Sequence, residues 1–302
     1  MHPETAHVRI RIKSPVQNLG QKISKLRRRQ LRLRKKPFET FTSLKQRKVK
    51  PMKIAIVTGA TSGMGKEMVY HLADRFGGLS EIWVIGRRKE ILDSFAGNIP
   101  VRVRVFPLDI TKSSDLDILK TALIERHPDV RMLVNAAGVG FTGTIGEISK
   151  EQTRSMLRLN IEALTEVTEL TLPYLSAGSR ILQFASAAAF LPQPGFSVYA
   201  ATKAYVLSYS RALAAELRER GILVTAVCPG TVQTEFLNLA LCGKELQAYK
   251  KMTMLSPQKV VKKAVDDSIK GKEVSVAGLP MTAFQLICKL LPHGLLMRFI
   301  RW

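Results

Sequence analysis

The amino-acid sequence predicts an α/β protein built on a single doubly wound parallel sheet of about seven strands, with helices on both faces. Three observations predict it. Short β-branched runs alternate with longer helical stretches from residue 53 onward. The strands carry few polar residues, as strands covered on both faces do. The first strand runs straight into a glycine-rich turn that opens a helix. Strands are expected at Lys53–Thr58, Glu81–Ile85, Val101–Phe106, Arg131–Val134, Arg180–Phe184, Leu223–Val227 and Glu273–Val276. Helices are expected over 64–76, 88–96, 113–126, 150–172, 199–219 and 257–270. Right-handed crossovers between such units wind the sheet in both directions from its middle.

The chain divides into three stretches: a basic extension over 1–51, an α/β domain over 52–280, and an amphipathic segment over 281–302. The net charge is +23, and residues 1–51, with 16 Lys/Arg against 2 Asp/Glu, carry +14 of it. This extension has little apolar periodicity and is predicted to be disordered, because it cannot bury enough surface to offset its ordering entropy. A solvated tail, translation beginning at Met52, and a binder of nucleic acid or anionic lipid are its three readings. No aromatic interleaving suited to base stacking supports nucleic acid. Cys228, Cys242 and Cys288 lie far apart without metal-ligand spacing, which points to a reduced, cytoplasmic protein. No apolar run is long enough to span a bilayer.

The first strand leads into Thr58-Gly59-Ala60-Thr61-Ser62-Gly63-Met64-Gly65. Gly59 permits a tight turn, Gly63 lets backbone N–H groups approach a pyrophosphate, and Gly65 lets the helix pack close to the strand. The helix N-terminus then presents free N–H groups and a favourable dipole to an anion. The second strand ends in Gly86-Arg87-Arg88, without the carboxylate that would accept from a ribose 2′-OH. A guanidinium there pairs with a 2′-phosphate instead, which points to NADP(H).

The spacing Thr-Gly-x-x-x-Gly-x-Gly resembles the short-chain dehydrogenase/reductase family, whose fold is the Rossmann sheet, and later residues extend the resemblance over about 53–280. Among six tyrosines only Tyr199 has a lysine four residues on, Lys203, and a helix puts such a pair on one face. Ser186 follows the fifth strand 13 residues before Tyr199, the family's spacing, and Asn160 matches the family's helix asparagine. The resemblance implies that Asp109 contacts adenine with Ile110 beside the ring, and that Asn135-Ala136-Ala137-Gly138 supports the cofactor. It further implies that Pro229, Gly230, Val232 and Thr234 flank the nicotinamide carboxamide.

These residue types suit hydride transfer between a carbonyl and an alcohol. A free phenol has a pKa of about 10, and Lys203 and the oxidised nicotinamide are together expected to lower that of Tyr199 toward the working range. Tyr199 is then the general acid in reduction and the base in oxidation, worth about 10²–10⁴ in rate. Ser186 donates to the substrate oxygen, Asn160 holds a water connecting Lys203 to solvent, and Lys203 bonds the nicotinamide ribose, as the resemblance implies. Serine-hydrolase chemistry at Ser186 lacks a nucleophile elbow and a placed histidine. A non-catalytic NADP(H)-binding protein is the alternative, and the intact set of Asn160, Ser186, Tyr199 and Lys203 argues against it.

The expected partner is a small carbonyl or alcohol, and the resemblance implies a homo-oligomer, dimer or tetramer. From Thr234 to about Lys251 relatives place a substrate lid, with Phe236, Leu237, Leu239, Leu241 and Tyr249 as candidate pocket wall. In 281–302, apolar residues alternate with Lys289, Arg298 and Arg301, and Pro292 and Gly294 break the segment in two. It either docks on protein or lies on a membrane surface as a peripheral anchor.

Overall fold

The computed structural model describes residues 51–241 and 253–299. The expectation of disorder for the basic extension therefore falls outside the described residues, as does the lid beyond Leu241, including Tyr249. Seven parallel strands form one sheet in the order β3-β2-β1-β4-β5-β6-β7. They are β1 (Lys53–Thr58), β2 (Glu81–Gly86), β3 (Arg102–Pro107), β4 (Asp129–Asn135), β5 (Leu175–Phe184), β6 (Leu223–Val227) and β7 (Val274–Ser275). The order reverses between β1 and β4, and the carboxyl ends of those strands flank the crevice where such sheets take ligands.

The sheet alternates its side chains between two cores. Ala55 and Val57 of β1 face α1 (Gly63–Arg75) and α8 (Pro257–Ile269), packing with Met68, Leu72, Val261 and Val265. Ile54 and Ile56 face the other way, toward α3 (Ser113–Arg126), α5 (Leu164–Thr171) and α6 (Ser197–Leu217), meeting Leu119, Val167 and Leu213. Trp83 of β2 is wholly buried in this second core, its ring 5.1 Å from Phe106. Burying each such side chain contributes about 1.5–3 kcal/mol. Period-two apolar strands under two helical layers are what a near-continuous hydrophobic strand sequence demands.

Four elements depart most from expectation. The helix expected over 150–172 is α4 (Lys150–Leu157), a π-helical turn at Arg158–Ala163, and α5. A full capping box starts α4: Ser149 Oγ accepts from Gln152 N–H, and the Gln152 side chain accepts from Ser149 N–H. β5 begins five residues earlier than expected, at Leu175, while β7 shrinks to two residues. Glu235–Leu241, within the expected lid, is a short helix, α7. The remaining helices are α2 (Lys89–Asp93), α9 (Leu279–Leu290) and α10 (His293–Phe299), the last two parted at Leu291 and Pro292 as the proline requires. Among the described residues, no helix is long and apolar enough to cross a membrane.

Candidate active site

The carboxyl ends of β1, β4, β5 and β6 surround a cavity of about 1610 Å³. The β1–α1 turn forms its floor. Gly59 takes φ +67°, and a Cβ there would stand 2.7 Å from the Ala137 main chain. At Gly65 a Cβ would sit 2.1 Å from the Gly59 carbonyl oxygen, so only hydrogen fits where the helix crosses the turn. Gly63 takes φ +52° and packs against Thr234. Ser62 precedes α1 without a side-chain cap, and the first turn holds no acid. Uncapped N–H groups therefore open on a cavity lined by Thr61, Ser62, Gly63, Met64 and Gly65, a fit for a phosphate.

Arg87, Arg88, Asp109 and Ile110 line the cavity beyond β2 and β3. Arg88 donates to the Thr61 carbonyl (3.0 Å) and pairs with Glu235 of α7 (2.9 Å). Burial raises the Asp109 carboxyl, but hydrogen bonds from Thr111 N–H and Oγ1, with Arg87 nearby, outweigh it and hold the group below its usual range. The residues present thus fit an adenosine phosphate at this end.

The opposite end gathers the phenol and the ammonium. Tyr199, on the first turn of α6, is 6% exposed and stacks on Phe196 with ring centroids 4.3 Å apart. Lys203, one turn on, is 4% exposed; its Nζ lies 5.7 Å from the Tyr199 ring centre and donates to the Phe184 carbonyl at 2.7 Å. Ser186 Oγ accepts from Ala188 N–H (3.1 Å), leaving its own proton to donate.

The expected lowering of the Tyr199 phenol belongs to Lys203 acting together with an oxidised nicotinamide; among the protein's own groups burial dominates. Burial pushes the phenol up to about 12, and the Ser186 hydrogen bond only partly offsets it. Burial also pushes the Lys203 ammonium down to about 8. A dry pocket disfavours either charge, and the ammonium is turned to a backbone carbonyl instead.

Asn160 lies in the π-helical turn and is wholly buried. Its Nδ2 donates to the Val139 carbonyl (2.8 Å) and Thr202 Oγ1 (3.0 Å), and its Oδ1 accepts from Val139 N–H (2.9 Å). The side chain therefore braces the segment after β4, and one Oδ1 lone pair remains for a water. The extra residue of a π turn is a common way to aim a side chain at such a site.

The structure brings nearly all the expected residues to one cavity: Ala136, Ala137, Gly138, Ser186, Tyr199, Lys203, Pro229, Gly230, Val232 and Thr234 line it with those already named. Thr58, Asn135 and Asn160 stand behind the wall. Thr58 Oγ1 accepts from Ala137 N–H (3.3 Å), and Asn135 Nδ2 donates to Thr168 Oγ1 (2.9 Å). Sequence reasoning missed several residues. A Cβ at Gly140 would stand 2.8 Å from the Tyr199 ring and 2.9 Å from Phe236, so this glycine makes room for the phenol. Phe196, Glu235, Met281 and Phe284 also line the cavity, and only contacts distant in sequence reveal them.

Fold and cavity define a nucleotide-binding Rossmann oxidoreductase. The family model for short chain dehydrogenase matches residues 53–241, and the chain belongs to the short-chain dehydrogenase family. It is 34% identical over 184 residues to an uncharacterised oxidoreductase of Staphylococcus epidermidis, covering 60% of this chain and 79% of the relative. A short-chain dehydrogenase from Sphingobium yanoikuyae in complex with NADPH superimposes with TM-score 0.66 at 26% identity, over 82% of this chain and 96% of that one. A 3-ketoacyl-(acyl-carrier-protein) reductase from Brucella melitensis complexed with NADH gives TM-score 0.65 at 26% identity, over 75% and 96%.

Proposed function

We propose that this oxidoreductase uses NADP(H) to interconvert a carbonyl and an alcohol, with Tyr199 as the proton donor in the reductive direction. The reading rests on one observation: Tyr199, Ser186 and Lys203 line one cavity together with the glycine turn. The bound dinucleotide supplies the hydride. The chain's own residues do the rest. Ser186 donates its free proton to the substrate oxygen and holds it in hydrogen-bond reach of the phenol. A phenol kept protonated by burial gives its proton to that oxygen as negative charge builds on it. Lys203 stabilises the resulting phenolate through space, and its Nζ keeps two protons beyond the one given to Phe184. Asn160 fixes the Val139 backbone beside Gly138, Lys203 and the cavity wall.

Preference for the phosphorylated dinucleotide is supported by two arginines and no acid at the end of β2. The test is loss of NADPH absorbance with a panel of aldehydes and ketones, in parallel with NADH. Turnover that favours NADPH is the expected result; a preference for NADH that survives Arg87→Ala rejects the cofactor assignment.

A further inference from the structure

Helix α9 is apolar on two opposite faces. Met281, Phe284 and Cys288, spaced three and four residues apart, point inward. Met281 and Phe284 line the cavity, Met281 presses on Gly230, whose Cβ would stand 2.6 Å from its sulfur, and Cys288 is buried. Leu279, Leu286 and Leu290, seven and four residues apart, fall on the other side and are 86%, 56% and 69% exposed. Leu291, just after α9, and Leu295 of α10 are each 42% exposed as well. An exposed row of leucines on a helix whose opposite side is already buried marks a contact surface.

Charge says what covers it. From Gly278 to Trp302 the sequence has no Asp or Glu, and Lys289 and Arg298 stand exposed beside the leucines. A two-fold contact with a second copy would set these cations against themselves. An anionic lipid surface accepts both the leucines and the cations. We propose that the outer face of α9, with α10, docks on an anionic membrane surface. At about 18 Å long, α9 lies in the interface rather than across it.

The inner face of the same helix is cavity wall. The substrate of the proposed reaction is then an apolar carbonyl or alcohol dissolved in lipid. This second step rests on the function proposed above; the docking does not.

The experiment uses the full chain and its Leu286→Glu/Leu290→Glu variant, sedimented with vesicles of phosphatidylglycerol and phosphatidylcholine or of phosphatidylcholine alone. Both proteins keep the basic residues 1–51, and binding is read in about 0.5 M salt, where attraction by charge alone is screened. The expected result is wild-type binding that falls at least about tenfold in the variant at this salt, and that at about 0.1 M salt is stronger on the anionic vesicles than on phosphatidylcholine alone; equal wild-type binding to the two vesicles at the lower salt overturns the anionic assignment. Equal binding of the two proteins overturns the docking, as does a wild-type dimer that the variant converts to monomer without any change in vesicle binding. The second step is read by offering a long-chain aldehyde in the vesicles and a short aldehyde in water. The variant should slow only the long-chain reaction, and equal rates overturn the lipid-substrate step alone. Absence of turnover with both aldehydes overturns the reaction itself, while sedimentation still decides the docking.

Discussion

Arg88 and Glu235 form an ion pair of 2.9 Å that ties the end of β2 to the start of α7, across the cavity where the glycine turn lies. The same guanidinium also holds the Thr61 carbonyl of that turn. A 2′-phosphate approaching the two arginines meets a carboxylate that already claims one of them. Glu235→Gln is therefore expected to tighten NADPH about two- to fivefold, the worth of one exposed pair, and NADH less. Titration of both cofactors by nucleotide fluorescence checks it. Equal changes for the two remove Arg88 from 2′-phosphate recognition.

The cation of Lys203 is present below about 8 and lost above it, because burial depresses its pKa from the usual lysine value. A rate of carbonyl reduction that needs this charge is constant near neutrality and falls about tenfold per pH unit above 8. Lys203→Met is expected to be slow at every pH and to lack this inflection. A wild-type profile flat to pH 10 would show that the ammonium does not support the phenol.

Gly65→Ala drives a methyl against the Gly59 carbonyl. The turn must move or the helix must retreat, at about 1–3 kcal/mol. Cofactor affinity should fall about 10- to 100-fold in a protein that still unfolds cooperatively. Unchanged affinity would mean that the turn does not hold the phosphates.

Asp267 tests the far edge of the sheet. Its carboxylate is 2% exposed and takes hydrogen bonds from Lys263, Lys272 and Ser275, joining α8 to β7. Burial alone would raise its pKa; these partners outweigh burial and hold it below the usual carboxylate range. A depressed folded-state pKa gives stabilisation that is full at neutral pH and lost as pH falls below about 4. Asp267→Asn should destabilise the protein by about 2–3 kcal/mol at pH 7 and flatten the acid limb of its unfolding curve. Equal stability of the two proteins in urea at pH 7 contradicts this.

Much of this was legible in the sequence, because glycines and apolar alternation are local signals. Gly59, Gly63 and Gly65 announce the turn, and Tyr199 and Lys203, four residues apart, share a helix face. Asn160 was legible as a residue but not as a geometry, since the apolar pattern does not tell where a helix takes a π turn. The early start of β5 was hidden because Leu175–Ser179 is rich in small and polar residues; Ser179 Oγ instead donates to the Val130 carbonyl (2.7 Å), which accommodates it in the strand. Gly140 and Glu235 escaped notice because their meaning lies in partners 59 and 147 positions away, Tyr199 and Arg88. The burial of Tyr199 was not legible either, because spacing reports which groups meet, while the surrounding fold decides how far each is desolvated.

The central claim is that one buried phenol delivers the proton. The most direct measurement is single-turnover reduction of an aldehyde by NADPH with Tyr199→Phe, which removes the hydroxyl and keeps the ring stacked on Phe196. The account expects cofactor affinity within about twofold of wild type and a chemical step slower by at least about 10²-fold. A variant that reduces the aldehyde at the wild-type rate contradicts it.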